Sequence, residues 1–323
     1  MILTRADAAS VMDLEDWLQA VAHGFRAAGE GKALSVPPMH IPVPGGGFHA
    51  KGASLSSGRS YVAVKLNGNF PGNLAERGLP TIQGALLLCD GETGSLLAMM
   101  DSIEITLRRT AAATALAALH LARTDSETIL LCGCGDQAAA QLAALRAVLP
   151  LRRCLAWDKD PERAEAFARR SIAVETSAVA DLAQAAGESD VIVTCTTARQ
   201  PFLERSFVKP GTFVAAIGAD SPDKSEIRPD LMRGALIVAD SIEQCAAMGD
   251  LRHALAAGAV RREDVHAELS ELVLGTKIGR SSADEITLFD STGTALQDVA
   301  SAAAIYERAL GRPGILSTSL GAL

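Results

Sequence analysis

The feature that most restricts the fold is a regular alternation of short apolar runs with helical segments between Thr128 and Val238. Thr128 to Cys132, Arg153 to Trp157, Val191 to Cys195, Thr212 to Ile217 and Leu236 to Val238 are the runs. Gln137 to Val148, Pro161 to Arg170 and Ala178 to Ala186 carry helical spacing between them, while Ile172 to Val174 and Asp230 to Arg233 continue the pattern. A strand buried on both faces reads as a continuous apolar run, so this stretch predicts a parallel sheet covered by helices on both sides.

The first turn of that unit carries Gly133-Cys134-Gly135-Asp136-Gln137-Ala138, directly after a strand and opening a helix. Gly133 suits the tight turn, Gly135 lets backbone approach a pyrophosphate, and Ala138 permits close helix–sheet packing. The amides of Asp136 and Gln137 stand at the helix start, where phosphate binds. Asp158 ends the next strand, where a carboxylate accepts ribose hydroxyls and repels a 2′-phosphate. The pair predicts a dinucleotide site with NAD as cofactor, and the adjacent Lys159 leaves NADP open. The ends of the following strands, Thr196-Thr197 and Gly218-Ala219-Asp220, fall where ligands sit in open sheets. Thr196 and Thr197 either border the nicotinamide or cap a helix.

The rest of the chain is built differently. Ala9 to Phe25 reads as a helix, and Val36 to Gly52, with four prolines and three consecutive glycines, as strand, turn and strand. Tyr61 to Leu66, Ala85 to Cys89 and Ser95 to Met100 are further strands around a polar loop at Asn67 to Gly78. Ile105 to Arg123 is an alanine-rich helix leading into the alternating unit. Beyond that unit, helices are expected near Ser241 to Ala256 and Glu263 to Val273, a strand at Ile286 to Phe289, and a helix at Gly293 to Leu310 that packs back on the first domain.

At 323 residues the chain has room for two cored domains. A formal charge of −8 argues against a general nucleic-acid binder. No apolar run is long enough to span a membrane, and the acids near the N-terminus fit neither a signal peptide nor a presequence. The six cysteines form no CxxC pair; three disulfides would fit the even count, but reduced thiols in the cytoplasm suit a chain of this size better. The six histidines show no metal-ligand spacing, so no metal is expected.

Two cations stand out in the first domain. Lys65 lies within the apolar Val62-Ala63-Val64-Lys65-Leu66, where charge is costly unless paired or meeting a ligand. Arg109, early in the alanine-rich helix, suits a substrate carboxylate or a salt bridge to an acid. Asp220 is either a turn residue or a general acid/base at the nicotinamide. His49 and Lys51 alternate and leave one face of a strand together.

At these residues the chain strongly resembles the ornithine cyclodeaminase/mu-crystallin family, nearly end to end. The most specific matches are Gly78-Leu79-Pro80-Thr81-Ile82-Gln83-Gly84, Asp90-Gly91-Glu92-Thr93-Gly94, Arg109-Thr110-Ala111-Ala112 and the glycine turn. Gly218-Ala219-Asp220 with Pro222 and Glu226, Gly279-Arg280, and Leu288-Phe289-Asp290-Ser291-Thr292-Gly293 with Asp298 complete them. The resemblance implies an α/β chain of two domains. A discontinuous α+β domain, residues 1–118 and 294–323, carries substrate binding and dimerisation; a Rossmann-type dinucleotide-binding domain spans 119–293. It implies a homodimer, a nicotinamide cofactor and a small amino- or imino-acid substrate. By motif match Lys65 and Arg109 hold the substrate carboxylate, Asp220 is the catalytic carboxylate and Thr81 borders the site.

The sequence also departs from that family. The usual Arg after the paired prolines is replaced by Met39-His40, and the usual Met-Pro after the glycine turn by Lys51-Gly52. His40 or Lys51 is the candidate to replace the lost carboxylate donor. The glutamate of the cyclodeaminase branch is absent near His49. The expected activity is therefore NAD(P)H-dependent reduction of a small, open or cyclic α-imino acid, or the reverse dehydrogenation. Deaminating cyclisation, an opine-like condensation and a non-enzymatic dinucleotide- or ligand-binding role are the alternatives.

Overall fold

The structure is a computed structural model that describes residues 1–171 and 173–318. It divides into two compact units, Met1–Arg109 with Thr294–Leu323, and Thr110–Gly293. The chain begins β1 (Ile2–Leu3), α1 (Arg5–Val11), α2 (Leu14–Gly29), β2 (Ala33–Ser35), β3 (Met39–Val43) and β4 (Gly46–Ser57). It continues β5 (Arg59–Asn69), α3 (Asn73–Arg77), β6 (Ile82–Asp90) and β7 (Leu96–Asp101), and α4 (Ser102–Leu121) carries it across the division at Arg109. The second unit then runs β8 (Thr128–Cys132), α5 (Asp136–Val148), β9 (Arg153–Trp157), α6 (Pro161–Arg170), β10 (Glu175–Ala178), α7 (Leu182–Glu188) and β11 (Val191–Thr194). After β12 (Phe213–Ala216), α8 (Pro229–Met232) and β13 (Leu236–Ala239) come α9 (Ile242–Met248), α10 (Asp250–Ala256), β14 (Ala267–Glu268), α11 (Leu269–Leu274) and β15 (Thr287–Asp290). Helix α12 (Ala295–Ala309) returns to the first unit.

The first unit is a seven-stranded sheet in the order β1-β7-β6-β5-β4-β2, with β3 also paired to β4. Strands β4 to β7 form an antiparallel meander and β1 joins β7 in parallel. One face is covered by α12, which packs against β4, β5 and α2. Alanines make that approach close: a Cβ added at Gly24 would stand 2.9 Å from the Ala300 Cβ. Leu55, Ala63, Leu86 and Leu88 are fully buried on this face, each larger side chain contributing ~1.5–3 kcal/mol. The other face is apolar and exposed, with Val64, Leu87 and Met99 forming one cross-strand row and Met39 and Leu66 lying beside it.

The second unit holds an eight-stranded parallel sheet in the order β10-β9-β8-β11-β12-β15-β13-β14. All residues of β11, β12 and β15 are buried, as a parallel sheet covered on both faces requires. The order reverses between β8 and β11, the Rossmann-type switch point at which dinucleotides bind.

Several local expectations change. The N-terminal helix is two helices, because Asp13 caps a new start by accepting the Asp16 N–H. Part of the expected loop at Asn67 to Gly78 extends β5, and the rest forms α3, closed by Gly78 at φ +63°. The strand expected at Ile172 to Val174 is Glu175–Ala178; Ile172 itself lies outside the described residues. The helix expected from Ala178 starts at Leu182, where Asp181 accepts the Gln184 N–H at 3.0 Å. The single helix expected over Ser241 to Ala256 breaks at Gly249, where a Cβ would lie 2.7 Å from the Asp290 carboxylate. The helix expected from Glu263 begins only at Leu269, after a turn and β14. Among the described residues, no helix is long and apolar enough to cross a membrane.

Candidate functional site

In the second unit the glycine turn joins β8 to α5. Gly133 has φ +95°, and a Cβ there would lie 2.9 Å from the Cys195 carbonyl oxygen, so both backbone shape and crowding require glycine. Gly135 is different. Its φ is −88°, and an added Cβ would meet only the Arg163 guanidinium at 3.8 Å. Among the described residues, no other atom comes within 4 Å of that position. Gly135 caps α5 without a side-chain cap hydrogen bond, and Asp136 and Gln137 open the helix directly after it. The Asp136 carboxylate, in that first turn, complements the helix dipole.

Asp158 ends β9 and reaches back to this turn. Its Oδ2 accepts the Cys134 N–H at 2.9 Å and its Oδ1 the Asp160 N–H at 3.1 Å. A carboxylate has about four acceptor sites, which leaves capacity for ribose hydroxyls. Arg163, on α6, stands 3.9 Å from Asp158 Oδ2 and beside Gly135. The motif reading missed it, although a helix opening at Pro161 puts its first turn next to Asp158. An open cradle, a ribose-type acid and a neighbouring guanidinium fit a dinucleotide.

The ends of β11 and β12 are tied by Glu226, which is fully buried. Its Oε1 accepts the Thr196 N–H at 2.6 Å and the Thr196 hydroxyl at 2.7 Å; its Oε2 accepts the Thr194 hydroxyl at 2.7 Å and the Gly218 N–H at 2.8 Å. Burial pushes its carboxyl up to about 7, with the nearby Asp250 adding to the rise and the hydroxyl and amide donors opposing it. Asp250 Oδ1 in turn accepts the N–H groups of Glu226 and Ile227 and the Ser225 hydroxyl. Gly218 is required by this clamp, since a Cβ would lie 2.5 Å from Glu226 Oε1. No helix starts at Thr196 or Thr197, so the capping alternative falls; the Thr196 hydroxyl serves Glu226 and Thr197 is exposed. Asp220 follows two residues after Gly218, half-exposed, its Oδ1 accepting from the Lys224 ammonium at 2.6 Å.

In the first unit Lys65 (β5) and Arg109 (α4) meet on a residue to which the sequence reading gave no role, Asp298 of α12. Lys65 Nζ donates to Asp298 Oδ1 at 2.9 Å, lies 2.8 Å from Oδ2, and donates to the Thr106 hydroxyl at 3.2 Å. Arg109 Nε donates to Asp298 Oδ1 at 3.0 Å and Nη1 to Gln297 Oε1 at 2.9 Å. Lys65, Arg109, Gln297 and Asp298 are each at most 4% exposed. Burial pushes the Lys65 ammonium down to about 7, with Asp298 pulling the other way. Burial alone would raise Asp298, but Lys65 and Arg109 overcome it and hold the carboxyl below its usual range. Lys51 pairs directly across from Lys65, and His49 stacks on His40 at 4.5 Å between ring centroids. Thr81 is half-buried just before β6, and its carbonyl accepts the Phe70 N–H. A cavity of about 290 Å³ near Asp16, Tyr61 and Arg308 lies elsewhere on this unit and includes none of these residues.

Compared with known proteins, residues 1–312 match the ornithine cyclodeaminase/mu-crystallin family. The chain belongs to that family. The ornithine cyclodeaminase/mu-crystallin relatives include the Δ1-pyrroline-2-carboxylate reductase of Paracoccus denitrificans, 40% identical over 92% of this chain and 93% of that protein. An archaeal alanine dehydrogenase dimer with bound NAD superimposes with a TM-score of 0.91, at 38% identity over 96% of each chain. The Thermococcus litoralis Δ1-pyrroline-2-carboxylate reductase, solved with NADH and L-proline, gives 0.91 at 32% identity, covering 96% of this chain and 97% of that one.

Proposed function

We propose that this chain is an NAD(P)H-dependent reductase of small α-imino acids, which also runs the reverse amino-acid dehydrogenation. The observation that carries the reading is the buried group Lys65–Arg109–Asp298: two cations share one protein carboxylate, leaving positive charge for an anionic substrate group. Relatives that act on a cyclic imine and on alanine lend the reaction class.

When bound, the dinucleotide supplies the hydride for the C=N carbon, or accepts it from the amino-acid Cα. Its pyrophosphate would lie on the Gly133–Gly135 turn and the amides of Asp136 and Gln137, its ribose on Asp158. Asp158 favours NAD, while Lys159 and Arg163 keep NADP in play. Lys65 and Arg109 hold the substrate carboxylate, and Asp298 fixes both cations so that little freedom is lost on binding. Thr81 borders the substrate. Asp220 holds and transfers the proton at the substrate nitrogen, and its pairing with Lys224 keeps a cation beside it. Glu226 positions the strand ends that carry Thr196 and Gly218.

The exposed row Val64–Leu87–Met99 is the face on which a second copy docks, giving the homodimer; the relative solved as a dimer supports that occupant. Six unpaired thiols suit the cytoplasm. Product analysis tests the activity. With Δ1-pyrroline-2-carboxylate, or pyruvate plus ammonium, net oxidation of NADH or NADPH is expected. Ammonia release from ornithine without net redox would mark a cyclodeaminase instead, and tight dinucleotide binding without turnover a binding protein.

A further inference from the structure

One turn of helix anchors the loop that carries Asp220. That loop runs from Gly218 to Glu226 and is closed at its neck, where Glu226 Oε2 accepts the Gly218 N–H. Helix α10 grips it at three places. Asp250 Oδ1 accepts the Ser225 hydroxyl at 3.0 Å and the N–H groups of Glu226 and Ile227 at 2.9 and 3.1 Å. Arg252 Nη1 donates to the Pro222 carbonyl at 2.9 Å, and His253 Nε2 lies 2.8 Å from the Lys224 carbonyl. A carbonyl only accepts, so that imidazole nitrogen carries the proton. The helix is itself tied to the sheet: Asp290, ending β15, accepts the Leu251 N–H at 2.8 Å.

Lys224 turns back within the loop. Its N–H donates to the Ser221 carbonyl at 3.0 Å and its ammonium to Asp220 Oδ1 at 2.6 Å. A surface ion pair is normally weak, because two flexible side chains must be ordered to make it. Here the Asp220 side chain is 53% exposed but that of Lys224 only 18%. With the Lys224 backbone already fixed by α10, less freedom remains to be lost when the pair forms. The other charged groups bordering the loop have their own partners: Asp223 holds the Ser221 hydroxyl and pairs with Arg199, Glu226 holds the strand ends, and Asp250 and Arg252 hold loop backbone and the Ser225 hydroxyl. The Lys224 ammonium is therefore a fixed cation on Asp220.

We propose that His253 is a positioning residue for the proton-transfer step: it pins the Lys224 backbone, and the Lys224 ammonium then holds Asp220 in place and in its ionised form. This rests on the acid/base role given to Asp220 above and extends it to a residue 33 positions away in the chain. In the amino-acid-to-imine direction the substrate ammonium gives one proton to Asp220. The Cα–H bond pair then leaves as hydride to the oxidised dinucleotide, and the nitrogen lone pair forms the C=N bond.

The test follows NADH formation by the full chain from NAD with L-alanine and with L-proline, across pH. Asp220 must be ionised to take the proton, so kcat falls on the acid side. Because small misplacements of a reacting group are costly, His253→Ala should lower kcat at least tenfold, with KM and NADH affinity within twofold of wild type. His253→Gln, which brings an amide N–H to the same carbonyl, should restore most of the loss. Lys224→Met should lower kcat and move the acid limb up by ~1 pH unit, as removal of a cation beside a carboxylate requires. His253→Ala should move that limb in the same direction. A lowered Tm with unchanged kcat and acid limb would mark a merely structural histidine and overturn the proposal. An unmoved acid limb in Lys224→Met overturns it too, and that variant alters no residue of α10. Asp220→Asn at the wild-type rate overturns the role of Asp220 and this inference together. An inactive Asp220→Asn beside unaffected His253 and Lys224 variants overturns this inference alone. No NADH from either amino acid in the wild type overturns the imino-acid reading as well.

Discussion

Replacing Asp298 by Asn removes one charge and almost no volume, and its cost follows from the two cations it holds. Lys65 and Arg109 are both nearly fully buried, and both donate to Asp298 Oδ1. Breaking a buried ion pair by removing one partner costs ~3–5 kcal/mol, because the remaining charge is left uncompensated. Arg109 cannot shed its proton, so that part of the cost persists at every pH.

Lys65 behaves differently. Its folded value, about 7, lies below its unfolded one near ~10.4, so this group alone makes the fold more stable as pH rises between those values. At pH 9 Lys65 is neutral in the folded wild type and in the variant, and it adds no difference between them. As pH falls through about 7, wild-type Lys65 takes up a proton next to an ionised Asp298. In the variant that uptake is deferred to lower pH, and the gap widens by ~1.4 kcal/mol per pH unit until the variant also protonates. Differential scanning calorimetry at pH 9 and pH 6 reads both parts. At ~2–4 °C per kcal/mol, we expect Asp298→Asn to lower Tm by ~6–20 °C at pH 9 and by several degrees more at pH 6. A shift under ~2 °C at both pH values, or a larger one at pH 9, would refute the reasoning about the buried charges.

Three further outcomes test the other parts. Gly135→Ala should change Tm little, since among the described residues an added Cβ meets only the Arg163 guanidinium at 3.8 Å, yet weaken NADH binding at least tenfold, or about 1.4 kcal/mol by titration calorimetry; an unchanged affinity would remove the pyrophosphate from that turn. Asp158→Ala should weaken NADH by ~10–100-fold, the worth of a charge-assisted hydrogen bond, and NADPH by less; equal losses would count against the ribose assignment. Asp220→Asn should lower kcat by ~10²–10⁴-fold with dinucleotide affinity preserved, and turnover at the wild-type rate would end its acid/base role.

The second unit was readable from the sequence for a local reason. A strand buried on both faces writes its environment into consecutive residues, and the turn at Gly133 needs its glycine for its own φ. The residues that were missed depend on distant partners. Asp298 sits in an alanine-rich helix where a carboxylate normally faces water. Its burial is set by Lys65 and Arg109, 233 and 189 positions away. Glu226 was visible as a motif residue, but its work lies in joining two strand ends 32 and 8 positions off.

Lys51 and Lys65 show the same limit most sharply, because their relation depends on a count. Side chains alternate every residue, so the pair shares a face only if the β4–β5 hairpin closes in one register. That register is set where Ser57 pairs with Arg59 around Gly58, whose φ of +86° is a conformation L side chains rarely adopt. With the turn pinned there, Leu55 meets Tyr61, Ala53 meets Ala63 and Lys51 meets Lys65, all on the face that α12 covers. Sliding β4 by one residue would move Leu55 and Ala53, both buried, to the opposite face, and sliding β5 would do the same to Tyr61 and Ala63. The apolar half of the hairpin therefore enforces the alignment of the charged half. A sequence pattern records which residues alternate, but the pairing that sets two ammonium groups side by side arises only when the core beneath them closes.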